Sequence, residues 1–174
     1  IERSRRMRPS EFGPAAVVNT DQCSGAAGCG ADAAAGAITF KVIEGGHRVA
    51  EVDRSECKAC GACVAACPSG AMNLEGFTNE EIIAEIDAFT EGFLESKEPF
   101  PAVLVFACHW CSYPAADLAG LKRLQQSPSF RMIRTPCSAR VDPEWIMHAL
   151  SRGVDGVMVL GGKEGACHYQ GGNV

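Results

Sequence analysis

The sequence predicts an α+β domain over residues 16–77, followed by an α/β domain with a parallel sheet over residues 102–174. In the first domain, short apolar stretches are separated by glycine-containing turns, which is typical of a small β-rich module. In the second domain, continuous apolar runs alternate with helical patterns, which indicates parallel strands joined by helices. A helix and a linker over residues 78–101 separate the two domains.

The composition is that of an ordinary globular protein, with 174 residues, 47% of them hydrophobic, and a formal net charge of −5. No apolar run approaches ~18 residues, so no direct membrane span is expected. The mild acidity argues against nucleic acid as a partner. Because the chain starts at Ile1, we expect a fragment or a processed chain. Residues 1–15 are expected to be a basic arm, either solvated or in contact with a neighbouring subunit. Its arginines are Arg3, Arg5, Arg6 and Arg8.

Four strands are predicted in the first domain. Ala16–Val18 is short and leads into the first cysteine region. Residues 38–53 have the pattern of a hairpin, because apolar residues alternate on both sides of the turn at Gly45 and Gly46. Residues 71–74 form the closing strand.

A helix is predicted from Thr78 to Phe93, ahead of a linker over residues 96–101. Thr78 is placed to cap this helix, and Glu81 completes a capping box. The apolar residues recur at helical spacing, so one face of the helix is expected to be buried. They are Ile82, Ile86, Phe89 and Phe93.

Three strands and two helices are predicted in the second domain. The strands are residues 103–106, 130–134 and 157–160. Pro114 is expected to open the first helix, and Asp142 is expected to cap the second with Pro143 at its first position. The apolar residues of the first helix are Leu118, Leu121 and Leu124. Those of the second are Trp145, Ile146, Ala149 and Leu150.

A close run of four cysteines carries the strongest chemical signal. Cys57, Cys60, Cys63 and Cys67 precede a proline, which gives the spacing C-x2-C-x2-C-x3-C-P. Thiolates are soft ligands, and this spacing holds iron–sulfur clusters in bacterial-type ferredoxins, so the first domain is predicted to be ferredoxin-like. A secreted disulfide protein is disfavoured by the same spacing. A structural zinc site is disfavoured because its two C-x2-C pairs usually lie well apart.

The region before this run is a degenerate copy of it. The corresponding pairs are Cys23 and Cys57, Ala26 and Cys60, Cys29 and Cys63, and Ala33 and Cys67. In two-cluster ferredoxins the fourth cysteine of each copy crosses to the other cluster. The first site is therefore predicted to hold Cys23, Cys29 and Cys67. The second is predicted to hold Cys57, Cys60 and Cys63. Each has three thiolates of four, so we expect one or two 4Fe–4S clusters. Our hypothesis is a four-iron cluster in both sites, with a three-iron cluster or an open iron position as alternatives.

Four more cysteines lie after the predicted strands of the second domain. They are Cys108, Cys111, Cys137 and Cys167. Ligands of open α/β sheets bind at the carboxyl edge of the strands, so these cysteines are expected to converge and to suit a two-iron or four-iron cluster. Inert buried thiols and a thioredoxin-type pair at Cys108 and Cys111 are the alternatives. Against the pair, Pro114 is expected to start the helix beyond Cys111, where its dipole activates neither thiol.

Three motifs of the second domain resemble the delta subunit of methyl-viologen-reducing hydrogenases. They are Cys108 to Gly120, Arg134 to Pro143 and Gly165 to Asn173. The resemblance implies one 2Fe–2S cluster, which receives electrons from hydrogenase or formate dehydrogenase subunits and passes them to the FAD in the A subunit of a heterodisulfide reductase. The cysteines available to this cluster are Cys108, Cys111, Cys137 and Cys167. Gly162 departs from the family, which usually has a further cysteine there. The family's last helical segment is also missing, so we expect a truncated domain.

Residues 16–95 resemble the ferredoxin-type C-terminal part of the A subunit of heterodisulfide reductase, and the chain also resembles the end of the B subunit of the quinone-interacting membrane-bound oxidoreductase. The resemblance implies an electron-transfer component of a hetero-oligomer with an FAD-containing partner. The expected location is the cytoplasm, with attachment to the inner face of the membrane through partners as a further option. The alternatives are electron transfer in a quinone-interacting complex, thiol–disulfide exchange at Cys108 and Cys111, and a structural adaptor in which the clusters only hold the fold.

Aromatic residues adjoin the cysteines of the second domain. His109 and His168 are expected to pack beside the ligands and not to bind iron. Trp110 and Tyr113 are expected to shield the site from water. The chain has no glycine-rich dinucleotide fingerprint, so no flavin or nicotinamide of its own is expected.

Overall fold

The computed structural model describes residues 14–31, 36–96, 101–169 and 171–173. The arginines of the predicted arm, Ala33 and most of the predicted linker lie outside these ranges. The chain divides into two compact units, residues 1–76 and 77–174.

Four strands and two short helices lie in the described part of the first unit. They are β1 (Ala16–Val18), α1 (Gly28–Ala31), β2 (Ile38–Val42), β3 (Arg48–Val52), α2 (Ala62–Ala65) and β4 (Met72–Leu74). The predicted hairpin is confirmed: β2 pairs antiparallel with β3, and its turn contains Gly45 and Gly46, both at positive φ. The predicted closing strand pairs antiparallel with β1. The two strand pairs bring the start and end of this unit together around a small core of Val49, Val64, Met72 and Leu74.

The backbone of the first unit repeats itself around the two cysteine loops. Helices α1 and α2 have equal length and start at corresponding positions of the predicted repeat. Gly25 and its counterpart Ala59 both have positive φ, of 69° and 55°. Ala27 and its counterpart Gly61 also have positive φ, of 62° and 81°. Non-glycine residues rarely adopt this conformation, so its occurrence at matched positions supports the register of the repeat.

The second unit is a parallel sheet with helices. Its elements are α3 (Asn79–Ser96), β5 (Val103–Cys108), α4 (Ser112–Leu121), β6 (Phe130–Thr135), a short 3₁₀ helix (Ser138–Arg140), α5 (Pro143–Ser151) and β7 (Gly156–Leu160). The strand order is β6-β5-β7, and β5 pairs parallel with both neighbours. The predicted parallel sheet is therefore confirmed. All three strands end at the same edge, which is where the cysteine loops begin.

Helix α3 belongs to the core of this second unit. The predicted capping box is present: the Thr78 backbone N–H donates to Glu81 at 2.8 Å, and the Glu81 N–H donates to the Thr78 hydroxyl at 3.1 Å. Ile82 and Ile86 are buried against the central strand and α5. The strand and helix residues that complete this core are Leu104, Phe106, Ile133, Trp145 and Ala149.

Helix α4 begins earlier than the sequence predicts. It starts at Ser112, directly after Cys111, and Pro114 lies within its first turn. The backbone N–H groups of the first turn have no partner inside a helix, so a proline there costs no hydrogen bond. The expectation that Pro114 opens the helix was wrong, and the argument against a thioredoxin-type pair that rested on it no longer holds. The helix has no buried residue, and its Leu118 is half-exposed.

Helix α5 has the predicted cap. The Asp142 carboxylate accepts the Glu144 N–H at 2.9 Å, and Pro143 occupies the first position. Trp145 is fully buried, whereas Leu150, expected on the apolar face, is 43% exposed. The buried stripe of this helix is thus narrower than its hydrophobic pattern indicates. Among the residues described, no helix combines the length and the apolar character needed to cross a membrane.

Replacement of a core residue on α3 tests how this helix packs. Ile86→Ala is expected to lower the free energy of unfolding of the second unit by about 2–5 kcal/mol, because it leaves a cavity at a fully buried position. Leu94→Ala on the same helix is the control: its side chain is 57% exposed, and the change should stay within about 0.5 kcal/mol. Urea unfolding followed by tryptophan fluorescence reports on this unit, which holds both tryptophans. Equal decreases in the free energy of unfolding of the two variants would contradict the packing described for α3.

Candidate metal centres

All ten cysteines are free of disulfides in the structure. Seven of them are buried, and Cys67, Cys111 and Cys167 are partly exposed. Burial of so many thiols without bridges calls for another partner of sulfur. Their positions fall into three groups, two in the first unit and one in the second.

Group one consists of Cys23, Cys29 and Cys67. The pKa of the Cys29 thiol is raised, mainly by burial and to a smaller extent by the charges of Cys67 and Cys23. The three sulfur atoms therefore lie close enough to influence one another. The Ala50 backbone N–H donates to the Cys23 sulfur at 3.4 Å. The His47 Nε2 donates to the Cys23 carbonyl at 2.6 Å and ties this loop to the hairpin. His47 therefore supports a cysteine loop.

Cys67 is surrounded by hydrogen-bond donors. Burial acts to raise the pKa of this thiol, but the Ser69 hydroxyl and the backbone N–H groups of Met72, Ser69 and Ala71 outweigh it, and the pKa is lowered. The Ser69 oxygen lies 3.6 Å from the sulfur. Donors that favour a thiolate over a thiol also favour metal binding, because the thiolate is the ligand.

Group two consists of Cys57 and Cys60, on the loop that leads into α2, and Cys63, within α2. The pKa of the Cys63 thiol is raised to about 12, mainly by burial. The nearby Cys60, Cys57 and Cys29 add smaller increases. These cysteines line a small cavity together with apolar residues of the neighbouring strands. The apolar residues include Ala16, Ile38 and Val52. Since Cys29 of group one is among the neighbours of Cys63, the first two groups adjoin each other.

Group three is assembled from four separate positions at the carboxyl edge of the sheet. Cys108 ends β5, Cys111 precedes α4, Cys137 follows β6 and Cys167 follows β7. The pKa of the Cys111 thiol is raised, mainly by burial. The charge and hydrogen bond of Cys108 and the charge of Cys167 add smaller increases. Cys167 shares a hydrogen bond with Cys137. The structure thus brings all four cysteines of the second domain together.

Backbone donors also surround Cys167. Burial acts to raise the pKa of this thiol, but N–H groups of Tyr169, Gly172 and Gly171 and the Cys137 side chain lower it, and the pKa falls below its ordinary value. The loop after β7 therefore wraps the sulfur with amide dipoles. Donors arranged in this way favour the thiolate form over the thiol.

Two glycines lie directly against these sulfur atoms, a placement that the sequence analysis did not predict. A Cβ at Gly172 would overlap the Cys137 sulfur, and a Cβ at Gly162 would lie 2.6 Å from the Cys111 sulfur. Gly162 is the position at which the resembled family usually has a cysteine, and here the Cys111 side chain fills that space. The sequence signal for this placement would have been a glycine that recurs at a fixed distance from the cysteines of each loop.

Two serines hold the cysteine loops in register. The Ser138 hydroxyl donates to the Gly172 carbonyl at 2.6 Å, which joins the Cys137 loop to the Cys167 loop. The Ser112 hydroxyl donates to the Leu160 carbonyl at 2.6 Å, which joins the start of α4 to the end of β7. The sequence alone gave no signal for either bond.

Buried Arg140 anchors the 3₁₀ helix that follows Cys137. Its guanidinium lies 4.2 Å from the centre of the Trp145 ring, and it donates to the Phe77 carbonyl and, at 2.7 Å, to the Asn79 side chain. An arginine is seldom fully buried, and these contacts offset part of its desolvation. The Cys137 loop is thereby fixed to the start of α3.

An aromatic cluster covers the loop that carries Cys167. Trp110 stacks on His168 with ring centres 3.9 Å apart, and its indole N–H donates to the Tyr169 hydroxyl at 2.8 Å. Trp110 is 45% exposed, so the cluster faces solvent on one side. The Tyr113 ring lies 5.8 Å from the Arg134 guanidinium, and its expected shielding role stays a prediction.

The cysteine groups supply the soft thiolate donors that iron–sulfur clusters take. Within the described ranges, no three His, Cys, Asp or Glu side chains are arranged to hold one metal ion. Iron–sulfur clusters suit thiolates spread around a larger cage. The raised pKa of Cys111 is the opposite of what a reactive thiol requires, although this residue lies at the N-terminus of α4.

Two family models match parts of the chain. The family described as methyl-viologen-reducing hydrogenase, delta subunit, matches residues 103–174. The family described as 4Fe–4S binding domain matches residues 50–73. A stretch similar to a 4Fe–4S binding domain is therefore followed by one similar to a hydrogenase delta subunit, in the order that the resemblance predicted.

Individual relatives agree with this arrangement. The chain is 44% identical over 103 residues to the A subunit of ferredoxin:CoB-CoM heterodisulfide reductase of Methanosarcina mazei. The aligned stretch covers 59% of this chain and 12% of that protein. It is also 49% identical over 78 residues to the iron–sulfur D subunit of the F420-non-reducing hydrogenase of Archaeoglobus profundus. That alignment covers 45% of this chain and 57% of the relative. The chain therefore spans a small part of the first relative and little more than half of the second.

The opposite pKa shifts within the first unit predict an order of alkylation. In cluster-free, folded protein, iodoacetamide is expected to modify Cys67 at lower pH than Cys63, because alkylation follows the thiolate and the pKa of Cys63 is about 12 while that of Cys67 is lowered. Mass spectrometry of peptides labelled across a pH series measures both sites. In urea the two residues should react over the same pH range. A common pH range in the folded protein would contradict the environments described for the two thiols.

Proposed function

We propose that the chain is an iron–sulfur electron-transfer component, with a ferredoxin-like first domain that binds 4Fe–4S clusters and a second domain that binds one 2Fe–2S cluster. Groups one and two hold the four-iron clusters, and group three holds the two-iron cluster. The observation that carries this proposal is the gathering of ten unbridged cysteines into three groups. The match to a 4Fe–4S binding domain agrees with it for the first unit.

The proposed chemistry is the one-electron transfer that such clusters supply when bound. The chain's own residues contribute position, hydrogen bonds and shielding. N–H groups that point at the sulfurs of Cys67 and Cys167 stabilise negative charge, which favours the reduced state. The adjacency of Cys29 and Cys63 supports electron transfer between the first two groups. No acid, base or nucleophile of this chain is required.

The relatives suggest where the electrons come from and go to. One relative belongs to a heterodisulfide reductase, and another is an iron–sulfur component of a hydrogenase. We therefore assign the donor to a hydrogenase or formate dehydrogenase type of subunit, and the acceptor to an FAD-containing subunit of the heterodisulfide-reductase type. In this account the chain works inside a hetero-oligomer.

Thiol–disulfide exchange at Cys108 and Cys111 is the second candidate. It is favoured by the start of α4 directly after Cys111, which places a helix N-terminus at the pair. It is opposed by the raised pKa of Cys111 and by the presence of Cys137 and Cys167 in the same group.

A spectroscopic experiment separates the two candidates. Protein purified and reconstituted with iron and sulfide without oxygen should be brown, and its visible absorption should bleach on addition of dithionite as each cluster takes one electron. The reduced protein should give electron paramagnetic resonance (EPR) signals of both four-iron and two-iron clusters. A colourless protein whose Cys108 is rapidly alkylated would overturn the electron-transfer proposal and support thiol exchange.

A single added methyl group tests whether group three binds iron. Gly172→Ala is expected to reduce cluster retention in the second domain strongly, because the new Cβ would overlap the Cys137 sulfur. A free thiol rotates away from such a clash, whereas a thiolate fixed to iron does not. Iron content and the two-iron EPR signal are the measurements.

Gly171→Ala in the same loop is the matched control, since an added Cβ there meets no atom within 4 Å. This variant should keep the iron content of the parent protein. If Gly172→Ala keeps the two-iron signal as well, Cys137 is not a cluster ligand in the position described.

A further inference from the structure

The alanine at position 26 occupies the place of a cysteine ligand. The loop that carries Cys23 and the loop that carries Cys57 have the same backbone course, with positive φ at matched positions and equal helices after them. In the second loop, the residue between the two positive-φ positions is Cys60; in the first it is Ala26. The substitution therefore removes one sulfur from group one without a change in the loop that would present it.

The two corresponding positions also differ in exposure. Cys60 is buried, at 9% exposure, whereas Ala26 is exposed to solvent. The remaining thiols of group one are retained in a cage: Cys23 and Cys29 are buried, and Cys67 has its hydroxyl neighbour at 3.6 Å. Group one thus has three held thiols and one open side, and the open side faces water.

We propose that Cys23, Cys29 and Cys67 bind a four-iron cluster whose fourth iron, beside Ala26, has no protein thiolate and takes an exchangeable ligand from solution. The ligand class is a small single-atom donor, either water or hydroxide or a low-molecular-weight thiol. The inference rests on the proposed function, in which the cysteine groups bind clusters. It adds to that function an iron position that is open to exchange.

An iron atom without a protein ligand is expected to leave and return. Loss of Fe²⁺ from a 4Fe–4S cluster in its 2+ state leaves a neutral 3Fe–4S cluster, so charge balances and no electron is exchanged. An added one-electron oxidant, ferricyanide, then takes one electron from the three-iron cluster and is reduced to ferrocyanide. The oxidised three-iron cluster is paramagnetic and is detected by EPR.

Restoring the missing sulfur tests the proposal. After anaerobic reconstitution and treatment with ferricyanide, the parent protein should show the three-iron EPR signal, and Fe²⁺ with a reductant should abolish it. Ala26→Cys should lose the share of this signal that group one contributes, because a fourth thiolate holds the iron there, whereas any share from group two, which also has three assigned thiolates, should be unchanged. Ala27→Cys is the matched control: it adds the same sulfur at the next position, whose counterpart is Gly61 and not a ligand, and it should keep the signal.

A second measurement uses the parent protein alone. Incubation of the reconstituted protein with ⁵⁷Fe²⁺ should place the isotope at one iron position of group one, seen by Mössbauer spectroscopy. Addition of a small thiol should alter the EPR spectrum of the reduced cluster. These readouts keep the proposal testable if Ala26→Cys does not fold.

Two results would overturn the inference. One is a parent protein whose group one keeps four irons under ferricyanide and takes up no isotope; the other is a three-iron signal that Ala26→Cys leaves unchanged. In both cases the other clusters remain and the proposed electron-transfer function stands. A protein with no cluster in any group would instead overturn the proposed function itself.

Discussion

The constraint on which the structure depends is the convergence of sulfur atoms that are far apart in the sequence. In the second unit this is achieved by topology, because three parallel strands end at one edge and each delivers a cysteine there. The core beneath, from Ile82 and Ile86 to Trp145, holds the strands in register and so fixes where the loops begin. The same constraint explains the glycines against Cys111 and Cys137, since any side chain at those positions would compete with sulfur for space.

The first unit meets the same constraint by repetition. Two loops of matching backbone course, each leading into a four-residue helix, carry cysteines of groups one and two. The antiparallel pairs β1–β4 and β2–β3 join the two copies, so neither loop is held by its own copy alone. This arrangement lets one position, Ala26, lose its ligand while the loop keeps its shape. It also brings Cys29 next to Cys63, so that the two groups adjoin.

Much of this could be predicted from the sequence, because several features have local causes. The capping box of Thr78 and Glu81, the cap at Asp142 and the glycine turn at residues 45–46 depend only on neighbours in the chain. The parallel sheet followed from the alternation of strands and helices. The start of α4 was missed because a proline in the first turn is compatible with two starting points. The glycines against sulfur, the Trp110–His168 stack and the Ser138 bond to Gly172 depend on contacts between loops distant in sequence, for which the chain carries no local signal.

The central claim is that the cysteines hold iron and inorganic sulfide and do not hold one another. Native mass spectrometry of the anaerobically reconstituted full chain tests this most directly, since it resolves the mass of each bound cluster and the loss of hydrogen at each disulfide. The account predicts a chain that carries two clusters of the four-iron class and one of the two-iron class, with all cysteines unbridged. A chain at its bare mass, or one that has lost hydrogens through paired cysteines, would contradict it.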